Sequence, residues 1–130
     1  MTMQSAVPDR FPGDVLIVED DPIIALGIED VLSSFGVKTV RAAGSVAKAL
    51  AMIAERAPEF ALLDVGLVHE KSFAVAERLQ ELKIPFIFVT AYGAEIGLPT
   101  EFAHTPRLPK PCPPEALQAL LKRSEGDARS

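Results

Sequence analysis

The chain is short of the residues that build covalent or thiolate scaffolds. Its one cysteine, Cys112, cannot close an internal disulfide, and a single thiol with two histidines does not make a structural zinc site. There is no excess of basic charge: 13 lysines and arginines stand against 18 acids, a net charge of −5. That balance argues against a broad nucleic-acid surface, which needs clustered cations. Long apolar runs are missing as well. The longest span four to six residues, against the ~18 that a membrane helix requires. Met1 to Asp9 carries neither a basic leader nor an apolar stretch, so no secretory signal is expected, and a soluble cytoplasmic protein is. Neither a Walker A loop nor a glycine-rich dinucleotide fingerprint occurs.

What the chain does hold is enough for one core. Of its 130 residues, 48% are hydrophobic and 24% charged, the balance of a single folded domain and not of a disordered acidic tail. After a loose lead-in over residues 1–13, Val15 to Val18 is wholly apolar and rich in β-branched residues, the pattern of a strand buried on both faces. Asp21 then offers a helix N-cap with Pro22 at the first helical position, where a missing N–H costs nothing. Ile23, Ile24, Ile28, Val31, Leu32 and Phe35 repeat at helical spacing, and Gly36 suits the left-handed position that ends a helix.

The alternation continues. Val37 to Val40 predicts a half-polar edge strand, Ser45 caps a second helix through Ile53, and Phe60 to Leu63 predicts a third strand. Lys71 to Leu82 has a helical period, and Phe86 to Val89 a fourth strand. Gly93, Gly97, Pro99 and Pro106 leave room for only a short helix in between, before a brief edge strand at Arg107 to Pro109. A last helix opens at Pro113 and Pro114, and residues 124–130 form a polar tail. Strands joined by helical crossovers are parallel and right-handed, and their sheet needs helices on both faces. An open three-layer α/β domain over residues 14–123 is therefore expected.

In such a sheet, ligands bind outside the carboxyl ends of the strands. The polar residues that follow each apolar run are Glu19, Asp20 and Asp21, then Asp64, then Thr90, then Lys110. Clustered carboxylates favour a hard cation such as Mg2+. An Asp beside that cation can attack phosphorus, while a hydroxyl and an ammonium serve the phosphoryl oxygens. Singly, each of these residues is a turn former, a cap or a surface group. In order, each at a strand end, they compose a phosphoryl-transfer set.

Four segments carry a resemblance: Leu16-Ile-Val-Glu-Asp-Asp-Pro22, Leu62-Leu-Asp-Val-Gly-Leu67, Val89-Thr-Ala-Tyr92 and Leu108-Pro-Lys-Pro111. Together they resemble the signature segments of response-regulator receiver domains of two-component systems, over about residues 14–123. The resemblance implies a flavodoxin-like sheet with the second strand at one edge, followed by the first, third, fourth and fifth. It implies Asp64 as phosphoacceptor, Asp20 as a direct Mg2+ ligand with Glu19 beside it acting through water, and Gly66 lending a backbone carbonyl to the metal. Thr90 would be the switch hydroxyl and Lys110 the conserved-type lysine, with Ala91 small where the phosphoryl group enters.

The resemblance has departures. The family often carries an aromatic residue three positions before the lysine, where this chain has Arg107, and Tyr92 lies two positions after Thr90. The stretch Pro85 to Gly93 is loosely similar to an alphaproteobacterial receiver subgroup with a Phe-Ala-Thr-Gly-x-Tyr motif, many of whose members are single-domain. Val89 and Ala91 replace two of its positions. The coupling from Thr90 through Tyr92 and Arg107 is thus expected to differ from the usual one.

The expected function is that of a stand-alone bacterial phosphoacceptor, charged by a sensor histidine kinase or a phosphotransfer protein. It would signal through an unknown downstream protein as a monomer or weak homodimer, without nucleic acid or membrane, and would not be an enzyme on an external substrate. A receiver-fold interaction module working without phosphorylation is the alternative. A small Asp-dependent phosphatase would want a second acid two residues after its nucleophile, and Gly66 stands there. His69, His104 and Cys112 have no partner in sequence that assigns them chemistry, and Lys122 and Arg123 complement the last helix dipole.

Overall fold

Val15, Leu16, Ile17 and Val18 offer solvent nothing polar, so the strand they form can lie only inside the molecule. The computed structural model describes residues 11–67, 70–90, 100–102, 104–109 and 113–129. In it, β1 (Asp14–Val18) and β3 (Phe60–Asp64) are buried at every position. They lie between β2 (Thr39–Ala43) and β6 (Phe86–Thr90), with β7 (Arg107–Pro109) at the far edge. The order β2-β1-β3-β6-β7 is parallel throughout. A short antiparallel ribbon, β4 (Gly66–Leu67) with β5 (Glu70–Lys71), follows β3.

Alternation along the strands divides the core. Val15, Ile17, Leu62 and Ile87 pack with Leu32 of α1 (Pro22–Ser34) and with Leu117 and Leu121 of α4 (Pro114–Arg129). Leu16, Val18, Leu63 and Phe88 pack with Ile53 of α2 (Val46–Glu55) and Leu79 of α3 (Phe73–Glu81). Helices thus cover both faces of the sheet, as the expected flavodoxin-like class requires. Phe73, Phe86, Phe88 and Phe102 form an aromatic group on the second face, the rings of Phe88 and Phe102 meeting edge to face at 5.7 Å.

Several boundaries differ from the sequence expectation. The second strand is Thr39–Ala43, not Val37–Val40, because pairing from Asp14↔Thr39 to Val18↔Ala43 sets its extent. Val37 instead closes the turn after α1, its amide donating to the Leu32 carbonyl at 3.2 Å. Lys71 lies on β5 and not in α3, which starts at Phe73. Two-residue strands are too short to show a period, so the helical pattern absorbs them. The last helix continues to Arg129 and so takes in residues 124–129, which were expected as a polar tail. Between β6 and β7 the described residues include a 3-10 turn, Thr100–Phe102, with Phe102 buried; most of the stretch expected to hold a short or irregular fourth helix lies outside the described residues. The lead-in over residues 1–10 lies outside the described residues, but Phe11 already stacks on Phe35 at 5.4 Å.

Candidate functional site

All five sheet strands are parallel, so their carboxyl ends share one edge. After β1 the chain is tied to the neighbouring strand by the Glu19 amide, which donates to the Ala43 carbonyl at 2.9 Å. The Glu19 carboxylate turns back and accepts from the Asp21 amide at 3.0 Å. Asp21 spends its own carboxylate on α1, accepting from the amides of Ile23 at 2.9 Å and Ile24 at 3.3 Å. It is the helix cap expected for a residue preceding Pro22. Of the three consecutive acids, Glu19 and Asp20 are thus directed to the strand end, where Asp64 stands as the last residue of β3.

One carboxylate oxygen from each of Glu19, Asp20 and Asp64 lies within 4.8 Å of the others. Glu19 and Asp64 are buried, at 4% and 6% exposure, and Asp20 is partly exposed. Like charges about 4 Å apart repel by about 1 kcal/mol per pair even in water, and by more where water is excluded. An all-oxygen, all-anionic donor set suits a hard divalent ion that keeps some of its waters, and suits zinc or copper poorly. The three residues therefore fit magnesium. An open cleft of about 400 Å3 runs beside the cluster, between Pro22, Ala25 and Leu26 of α1 and the end of β2.

Gly66 lies on β4, and its amide donates to Asp64 Oδ1 at 3.3 Å. Thr90 ends β6, one position beyond Val89, which is paired with Asp64. Arg107 begins β7 and is exposed, in register with Phe88. Lys110, Tyr92, Ala91, His69 and Cys112 lie outside the described residues. Lys71, which has no signal in the sequence, is also near this edge, its Nζ 3.9 Å from the point that a Cβ on Gly66 would occupy. No spacing signals it, because it arrives across a ribbon that the sequence pattern does not reveal.

An open, doubly wound α/β domain with clustered carboxylates at the strand ends is the class that this fold and edge define. Residues 15–122 match the family model described as the response regulator receiver domain, and the chain belongs to that family. It is similar to the solution structure of SdrG from Sphingomonas melonis Fr1, with 37% identity and a TM-score of 0.74 over 85% of this chain and 93% of that one. It is also similar to the anti-anti-sigma factor PhyR from Bartonella quintana, with 31% identity and a TM-score of 0.75 over 88% of this chain and 48% of that one. The phyllosphere-induced regulator PhyR of Methylorubrum extorquens is 32% identical over 82 residues, 61% of this chain and 31% of that one. The chain spans between 31% and 34% of the length of the curated relatives it matches.

Proposed function

We propose that this receiver domain accepts a phosphoryl group on Asp64 with magnesium bound, and signals by changing what it binds. The observation that carries the reading is the convergence of Glu19, Asp20 and Asp64 within 4.8 Å at the ends of two adjacent strands. An Asp64 oxygen attacks phosphorus, forming an O–P bond as the donor's P–N bond to histidine breaks, and the bonding pair leaves with the imidazole, which takes up a proton. Magnesium, when held by Asp20 and Asp64 with Glu19 nearby and the Gly66 carbonyl as a further ligand, would neutralise charge on the transferred group. Thr90 and Lys110 are assigned to its remaining oxygens. Tyr92 and Arg107 are assigned to relaying the change outward.

The phosphodonor proposed is a sensor histidine kinase or a phosphotransfer protein in the bacterial cytoplasm. The docking face proposed for it is the first helix, where Ile23 is 80% and Leu26 57% exposed. Among the described residues no helix is long and apolar enough to cross a membrane. Output by protein contact accords with the naming of one similar protein as an anti-anti-sigma factor, and a monomer or weak homodimer is proposed. The domain 14–123 would then act as a switch and not as an enzyme on an external substrate.

The deciding experiment is incubation with Mg2+ and acetyl phosphate, read by intact mass. One added phosphoryl group, stable in acid and lost in base, is expected in the wild type and absent in Asp64→Asn. Arg107, at the position where an aromatic residue is usual, favours a second reading as an interaction module that needs no phosphorylation. Failure to acquire the group from small donors and from a cognate kinase alike would select that reading.

A further inference from the structure

The ribbon after β3 brings a lysine beside Gly66, two residues after Asp64. Gly66 and Lys71 are directly paired across β4 and β5, and side chains of directly opposed residues in an antiparallel pair project to the same side. Gly66 has no side chain to place there. The Lys71 ammonium lies alongside, 3.9 Å from where a Cβ of residue 66 would stand. Gly66 is itself hydrogen-bonded to Asp64 Oδ1 through its amide, at 3.3 Å. The ribbon is anchored at both ends: Val65 donates to the Val89 carbonyl and Ser72 to the Val65 carbonyl, each at 3.1 Å, with Leu67 and Ser72 buried. Lys71 is thus an exposed cation on a fixed ribbon beside the residue next but one to the acceptor.

We propose that Lys71 is an electrostatic positioning residue of the phosphoryl site, an inference that rests on the phosphoacceptor reading above. A positive charge there acts with opposite sign on the two ligands of the site. It attracts an anionic phosphodonor to Asp64 and opposes the divalent cation held by Glu19, Asp20 and Asp64. Lys71 is exposed and forms no ion pair with the three carboxylates among the described residues, so each effect is expected to be a few-fold and to fall with ionic strength.

The test compares the wild type with Lys71→Gln, Lys71→Glu and Lys71→Arg, after circular dichroism melts have established that each folds. Mn2+ serves as the metal probe, its binding read by electron paramagnetic resonance in low salt without any phosphodonor. Phosphorylation at saturating Mg2+ is timed by intact mass with acetyl phosphate and with phosphoramidate, which carries less net negative charge. Lys71→Gln is expected to tighten Mn2+ binding about two- to threefold and to slow acetyl phosphate by a similar factor. Lys71→Glu should exceed it on both counts, and Lys71→Arg should match the wild type. The rate loss should shrink with phosphoramidate and at high salt. A damaged ribbon would instead weaken metal binding and slow both donors alike, and that result overturns the proposal. So does an unchanged Mn2+ affinity in Lys71→Glu, whether or not phosphoryl transfer occurs. If the wild type binds Mn2+ but accepts no phosphoryl group from either small donor, the metal measurements still decide the charge effect of Lys71, and failure with a cognate kinase as well refutes the phosphoacceptor reading.

Discussion

Asp14 opens the first strand at the edge of the sheet opposite the acidic cluster, and it is buried with its charge. Arg41 meets it with two hydrogen bonds of 3.2 Å, and Arg56 adds an ion pair at 3.0 Å. The Arg41 guanidinium also donates to the carbonyls of Met52 at 3.2 Å and Arg56 at 2.8 Å, so one side chain finishes the C-terminus of α2 and neutralises the base of β1. Removing one partner of such a pair leaves a charge and two carbonyls to be resolvated in place. Arg41→Met is expected to cost about 2 kcal/mol, below the usual loss for a broken buried pair because Arg56 still reaches Asp14. Urea unfolding checks this, with Arg56→Met as the milder comparison because Arg56 is mostly exposed. Asp14 and Arg41 are separated by 27 positions and belong to no motif, so nothing in the sequence pairs them.

At the scale of elements, the helix ends were the most legible features. Asp21 and Ser45 cap α1 and α2 through their side chains, as their residue types announce. Gly36 takes the left-handed conformation after α1, at φ 96°. The end of α3 reaches the same conformation with the wrong residue for it. Lys83 has φ 61°, and the amide of Ile84 returns to the Leu79 carbonyl at 2.9 Å in the closing pattern usually given to glycine. A side chain in that region costs about 1–2 kcal/mol. Lys83→Gly is therefore expected to stabilise the domain by about 1 kcal/mol, allowing for the flexibility that glycine adds to the unfolded chain. A thermal melt beside Gly36→Ala, which should lose a similar amount, tests both signs. The β4–β5 ribbon was not legible. Its strands are two residues each, and the turn chemistry that marks a hairpin is absent from Val68 and His69.

The molecule as a whole concentrates negative charge where its parallel strands end. Glu19, Asp20 and Asp64 come from parts of the chain 44 or 45 residues apart, and folding forces them together. On the reading of this edge as a magnesium site, binding of the cation is expected to add stability. Asp20→Asn is expected to raise the metal-free unfolding free energy by about 1–2 kcal/mol, the repulsion of its two close pairs with Glu19 and Asp64. The same substitution should abolish most of the stabilisation that millimolar MgCl2 confers on the wild type. Denaturant titrations with and without MgCl2 read both quantities. Equal magnesium responses in the two proteins would remove Asp20 from the metal set.

Local composition determined the elements. Runs such as Val15 to Val18 and Phe60 to Leu63 have no polar face, and the helical repeats between them can bury theirs only against a parallel sheet. The acids that end β1 and β3 were equally written in the chain, because those two strands stop where their apolar runs stop. What the tertiary structure alone decided were the pairings that cross the sequence: the extent of β2, the Asp14–Arg41 tie, and Lys71 beside Gly66. Each depends on register between distant segments. Register is fixed by hydrogen bonds and packing that exist only once the chain has folded.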